Sequence, residues 1–179
     1  KLTITFTPEY DSVYFAYFAP YSYERHQDLI HNAQLSPDCQ LQVLGETLDG
    51  RDMTLLKIGE EGEGKKTVWL TARQHPGETM AEWFMEGFID RLLDEDDGVS
   101  RALLEKAVFY CVPNMNPDGS RRGHLRTNAC GANLNREWLE PTMERSPEVY
   151  LLREQMQQIG VNFCLDVHGD EALPYNFIA

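Results

Sequence analysis

From residue 67 onward, strand-like and helix-like apolar patterns take turns, and this alternation limits the chain more than any other feature. Thr67–Arg73 (TVWLTAR) is a near-continuous β-prone run, long enough for a strand buried on both faces. Thr79-Met-Ala-Glu82 then reads as a capping box. Behind it Met80, Phe84, Phe88 and Leu92 recur every four residues, which predicts an amphipathic helix to about Leu93. Asp94–Gly98 is an acidic loop, Ser100 is placed to cap a short helix, and Ala107–Val112 is a second buried strand. Ser146-Pro147-Glu148 opens another helix with an N-cap, a first-turn Pro and an acid, and Gly160 stops it. Val161–Val167 is a third buried strand. Strands joined through helices can lie parallel in one sheet, so the expected class is α/β, a mixed and mostly parallel sheet flanked by helices.

The first third reads differently. Residues 2–7 and 12–18 are strand-like, with Pro8 and Asp11 between them. Ser22 can cap a helix over about 23–34, with Tyr23, Gln27, Ile30 and Ala33 on one side. Strands at about 40–47 and 53–58 flank Leu48-Asp49-Gly50-Arg51, a hairpin turn. Asn114–Pro141 is a long irregular stretch of the kind that carries function, and Pro174–Ala179 reads as the start of a further element.

Charge excludes two classes of partner. Sixteen basic against twenty-nine acidic side chains give a net charge of -13, the wrong sign for a general nucleic-acid binder or for an anionic membrane surface. The longest apolar run, Val13–Ala19, is seven residues, far short of the roughly 18 needed for a membrane span. The four cysteines show no CxxC pair. Cys111 and Cys164 sit in apolar runs and read as buried thiols, which fits a reducing compartment such as the cytoplasm.

Three features carry chemistry. His75-Pro76-Gly77-Glu78 lies where a strand ends and a helix begins, a position that faces the crevice at the carboxyl ends of a parallel sheet. Imidazole and carboxylate are both good zinc ligands, although a His and a Glu three apart also read as a helix-capping pair. Asp166-Val167-His168-Gly169 ends the third strand. If the strands are neighbours, His168 reaches the same edge as His75, and two His plus one Glu leave a fourth position open for solvent or substrate. The alternative is a strand-end His satisfied by backbone. Between Gly119 and Arg136 stand Arg121, Arg122, His124, Arg126 and Arg136 with no acid, a strip suited to a carboxylate or a developing oxyanion, or else to balancing nearby acids.

His75-Pro76-Gly77-Glu78, Asn116-Pro117-Asp118-Gly119, Asn133-Leu134-Asn135-Arg136 and Asp166-Val167-His168-Gly169, in this order and spacing, resemble the M14 zinc carboxypeptidases. The nearest likeness is to the cytosolic carboxypeptidase, deglutamylase-like branch and its bacterial relatives, over about residues 18–179. Phe18-Ala19-Pro20-Tyr21-Ser22-Tyr23 resembles that branch's junction between a small β-rich domain and the catalytic domain. The resemblance therefore implies that residues 1–18 end the β-rich domain and 19–179 form the N-terminal part of the catalytic domain. It implies a Zn(2+) cofactor bound by His75, Glu78 and His168. Arg126 would polarise the scissile carbonyl, and Asn135 and Arg136 would grip the terminal carboxylate of a peptide or protein tail. Acidic tails are the substrates the branch suggests.

Three departures stand out. Gly77 occupies the place of an Arg in digestive members. Asn133 replaces a common Asp behind the first zinc His, a weaker acceptor. The general-base Glu and a substrate-capping Tyr come, in the family, about a hundred residues past the third ligand, and neither Asp170 nor Glu171 is taken as a substitute. The chain thus reads as the first half of a catalytic domain that would not fold stably alone. Two other functions share parts of this layout: a zinc N-acyl amino acid deacylase of the aspartoacylase or desuccinylase kind, and a non-catalytic module that binds peptide tails.

Overall fold

A computed structural model describes residues 3–173 and 175–178. The elements follow in the order α1 (Tyr23–Ala33), β1 (Cys39–Glu46), β2 (Asp52–Ile58), β3 (Lys66–Ala72), α2 (Thr79–Leu92), α3 (Gly98–Leu104), β4 (Ala107–Val112), α4 (Pro117–Arg122), a single 3-10 turn (Leu134–Arg136), α5 (Pro147–Ile159) and β5 (Phe163–Val167). The strands form one sheet in the order β1-β2-β4-β3-β5. β1, β2 and β4 pair antiparallel, whereas β4, β3 and β5 run parallel. The mixed α/β class is therefore as expected from the alternation.

Side chains alternate across the sheet and fill two cores. Leu56, Ile58, Leu70, Ala72, Phe109 and Cys111 meet Leu29, Ile30 and Ala33 of α1 and Ala81, Met85 and Ile89 of α2. On the other face Met53, Leu55, Trp69, Val108, Tyr110 and Val112 pack on Val149 and Leu152 of α5 and on Leu134. Coverage on both faces explains why β3 and β4 read as continuous apolar runs.

Several local expectations are corrected. Residues 3–18 form no strand, and Ile4, Phe6, Tyr14 and Phe15 are exposed. β-prone side chains become a strand only when a neighbour supplies the hydrogen-bond ladder, and neither edge strand pairs with this segment. The buried face of α1 is His26, Leu29, Ile30 and Ala33, with Gln27 outside. The buried face of α2 is Ala81, Glu82, Met85, Ile89 and Leu92, so Phe84 is exposed. There is no capping box: Thr79 Oγ1 donates to the Ala19 carbonyl, and Glu82 is recruited into a buried ion pair. Asp97, not Ser100, caps α3. β5 is an edge strand of the described sheet and Cys164 is exposed on it, while Cys111 is buried. Residues 175–178 carry no regular structure; Pro174 and Ala179 lie outside the described residues.

Candidate metal centre

β3 and β5 are direct parallel neighbours, paired from Val68↔Phe163 to Ala72↔Val167. Both strands therefore end at the same edge, and the residues just past them, His75 and His168, meet there with ring centroids 4.8 Å apart. The turn that presents His75 is stitched in place. Gly77 N–H donates to the Leu125 carbonyl at 2.9 Å, and a Cβ at Gly77 would lie only 2.9 Å from that oxygen. Asn116 of Asn-Pro-Asp-Gly caps α4 through Gly119 N–H and donates its amide to the Gln74 carbonyl, so this motif braces the His75 turn.

Glu78 lies between the two imidazoles. Its Oε1 is 2.8 Å from His75 Nδ1, its Oε2 is 2.8 Å from His168 Nδ1, and Gly169 N–H donates to Oε2 at 2.9 Å. Burial pushes the Glu78 carboxyl up, but the hydrogen bonds from His168, His75 and Gly169 outweigh it and hold the group at about 2. His168 is raised to about 9, first by its bond to Asp166 and then by Glu78. A permanent carboxylate therefore faces both rings. One ligand atom from each of His75, Glu78 and His168 can be chosen so that all lie within 4.8 Å of one another.

The outward ring nitrogens test whether a metal fits. His75 Nε2 is 3.0 Å from Asn133 Oδ1, and His168 Nε2 is 2.8 Å from Asp166 Oδ2. An imidazole that gives its Nδ1 lone pair to a cation carries its proton on Nε2 and needs an acceptor there. Both rings have one. Two nitrogens and a carboxylate oxygen are also a donor set that zinc takes readily. The residues present fit a zinc ion.

Sequence reasoning missed the group that orients His168. Asp166, near the end of β5 and two residues before His168, has its Oδ2 2.8 Å from His168 Nε2. Thr71 Oγ1 and Gln74 Nε2 donate to Asp166 at 2.7 and 2.5 Å, and Gln74 Oε1 accepts from Trp138 Nε1.

The basic strip divides. Arg126 reaches the His75–Glu78–His168 cluster, with Nη2 3.3 Å from His75 Nε2 and Nη1 3.5 Å from Glu78. Asn133 Oδ1 accepts from Asn135 N–H and so opens the 3-10 turn that carries Asn135 and the exposed Arg136. Arg122 is spent on Asp49, with two guanidinium bonds of 2.8 and 2.6 Å. Of the two readings the strip left open, Arg122 takes the balancing of a nearby acid. Asp118 is likewise structural, accepting from Thr47, Arg51 and the Asp49 backbone.

Residues 26–173 match the zinc carboxypeptidase family, peptidase M14. A metallo-carboxypeptidase from Burkholderia cenocepacia superposes with a TM-score of 0.90 at 52% identity, covering 95% of this chain and 46% of that one. A metallo-carboxypeptidase from Pseudomonas aeruginosa, solved in complex with (2-guanidinoethylmercapto)succinic acid, gives 0.85 at 51% identity, covering 89% and 42%. Mouse cytosolic carboxypeptidase 6 is 31% identical over 97% of this chain and 34% of its own length. The chain spans less than half the length of each. With four motifs in order, a shared sheet and a match over most of its length, the chain belongs to the M14 zinc carboxypeptidase family.

Proposed function

We propose that this chain carries the metal-holding part of a zinc metallocarboxypeptidase that removes the C-terminal residue of peptides or proteins. The observation that carries the proposal is the convergence of His75, Glu78 and His168, each ring having its outer nitrogen at an acceptor. When bound there, zinc supplies Lewis acidity and lowers the pKa of a solvent molecule enough for attack at neutral pH. Glu78 and the two Nδ1 atoms would be its protein ligands. Arg126, within 3.5 Å of the cluster and with its side chain 45% exposed, would donate to the scissile carbonyl oxygen and to the charge that develops on it. Asn135 and Arg136, on the adjoining 3-10 turn, would bind the substrate's terminal carboxylate, for which the planar Arg fork is suited. The Pseudomonas neighbour's succinic-acid ligand supports carboxylate recognition in this fold.

Acidic leaving residues gain little support here, because Asp49 already occupies Arg122. Four free cysteines and the similarity to cytosolic carboxypeptidases support a cytoplasmic setting. Among the described residues no helix is long and apolar enough to cross a membrane.

The test is Arg136→Ala in the full-length protein, assayed on a peptide with a free C-terminus, its C-terminal amide and an N-acyl amino acid. Wild type should cleave the free acid, lose activity to a chelator and regain it with zinc. The variant should lose about 100-fold in kcat/KM on the free acid, with a much smaller change on the amide. Equal losses on acid and amide would remove Arg136 from carboxylate recognition. Preference for the N-acyl amino acid would make the protein a deacylase, and zinc binding without turnover would make it a tail-binding module.

A further inference from the structure

We propose that Arg73, held by Glu82 and His26, is a positioning residue that sets the spacing between the two ligand-bearing segments. This rests on the metal site described above. Arg73 follows the last residue of β3 and takes a left-handed backbone conformation, φ 56°, alone among the described non-glycine residues. That conformation turns the chain out of the strand and into the His75 turn.

Arg73 touches both segments. Its backbone N–H points to the Val167 carbonyl at 3.4 Å, one residue before His168. Its Nε–H donates to the Pro76 carbonyl at 2.9 Å, between His75 and Glu78. The remaining guanidinium contacts fix the side chain: Nη1 donates to Glu82 Oε2 at 2.6 Å and to the Tyr21 carbonyl at 3.0 Å. Glu82 is held in turn by His26 Nδ1 at 2.7 Å and Asn114 Nδ2 at 3.2 Å. Arg73, Glu82 and His26 are 3%, 0% and 1% exposed.

A buried charged network is costly to assemble, and an apolar cluster of similar volume often serves stability as well or better. Its geometry here indicates another use. A guanidinium presents donors in a rigid plane, so one side chain can hold a carboxylate and two carbonyls in fixed directions. A lysine ammonium at the same place is a point charge on a flexible stem and cannot reproduce that fork. Loosening the fork would let the Pro76 carbonyl, and with it His75 and Glu78, drift relative to His168 while the sheet stays intact.

The experiment uses the full-length protein as wild type, Arg73→Lys, Glu82→Gln and Leu92→Ala. Leu92 lies at the far end of α2 and serves as a control for simple destabilisation. Zinc affinity is measured by competition with a chromophoric chelator, ligand geometry by the visible absorption of the cobalt(II)-substituted protein, and folding by thermal melts. Arg73→Lys should weaken zinc binding by about tenfold or more and change the cobalt bands, the scale seen when residues supporting metal ligands are altered. Glu82→Gln should act in the same direction, less strongly. Leu92→Ala should lower Tm yet keep the wild-type cobalt spectrum and zinc affinity.

Zinc affinity within twofold of wild type and unchanged cobalt bands in both network variants would overturn the proposal. So would losses in the network variants that Leu92→Ala reproduces at a matched drop in Tm. If Arg73→Lys does not fold, Glu82→Gln decides on the same criteria. A wild-type protein that binds no zinc would sink the metal site itself and this inference with it. That failure is separate, because it is read in the parent and not in the variants.

Discussion

Two buried glutamates stand in the first turns of helices on opposite faces of the sheet and have opposite surroundings. Glu82 is in the first turn of α2 and Glu148 in the first turn of α5, where the helix dipole favours an anion. Both are 0% exposed. Glu82 lies behind the His75 turn and meets a guanidinium at 2.6 Å and an imidazole at 2.7 Å. Glu148 lies behind the loop that carries Arg126, Asn133 and Arg136, and its side-chain partner is the Asn128 amide, at 3.2 and 3.4 Å. That amide cannot offset burial. Desolvation pushes the Glu148 carboxyl up to about 7, although its own backbone N–H and Asn128 pull it down. A glutamate in the first turn of a helix is thus one arm of an ion pair on one face and a half-neutral acid on the other. The partner, more than the helix dipole, decides.

The largest effect should come from breaking the compensated side. Glu82→Ala leaves the Arg73 guanidinium buried with no carboxylate opposite it. Loss of one partner of a buried pair costs about 3–5 kcal/mol, to be read from urea unfolding of the full-length protein. A loss below about 1 kcal/mol would mean that Arg73 finds water or another acceptor, and the contrast between the two faces would shrink.

The uncompensated side should respond less, and with the opposite sign at alkaline pH. Because the Glu148 carboxyl is raised from 4.5 to about 7, the folded protein binds more protons than the unfolded chain between those values. Its contribution is fully present below about pH 4.5 and is lost as pH rises through about 7. Glu148→Gln removes this titration while keeping an acceptor for Asn128. The variant should gain on the wild type by on the order of 2 kcal/mol between pH 5 and pH 8, measured by paired melts. A constant difference across that range would show that Glu148 is already ionised in the fold.

The contrast also explains what could be read from the residues in advance. β3, β4 and the β1–β2 hairpin were legible because each is a run of apolar, β-prone residues between turn signals, and parallel pairing of β3 with β5 then brought His75 and His168 to one edge. The buried face of α2 lies one position along from the stripe that the period suggests. Met80, Phe84 and Phe88 have the right period, but Ala81, Met85 and Ile89 have it too, and only the sheet decides which stripe is covered. Glu82 reads as part of a capping box because spacing along the chain cannot show Arg73, nine residues back, folding over to meet it. Residues 3–18 depart from the strand pattern for a related reason. Their composition is that of strands, and composition does not reveal whether another strand lies alongside.

The smallest predicted effect separates the start of α5 from the start of α3. Ser146 occupies the N-cap of α5 in sequence and in space, but its hydroxyl caps nothing. Its Oγ is buried without a hydrogen-bond partner among the described residues. An ordinary N-cap Ser→Ala change costs about 1 kcal/mol, because a backbone N–H loses its acceptor. Here no such bond exists to lose, and the change removes a desolvated hydroxyl. Ser146→Ala should therefore be neutral or stabilise by up to about 1 kcal/mol. Asp97 at the start of α3 makes two cap bonds, to Val99 and Ser100 N–H, and its replacement by Ala should cost the usual amount. A loss at Ser146 as large as at Asp97 would mean that water completes this cap, and the polar groups at the start of α5 would then be better satisfied than their protein partners alone allow.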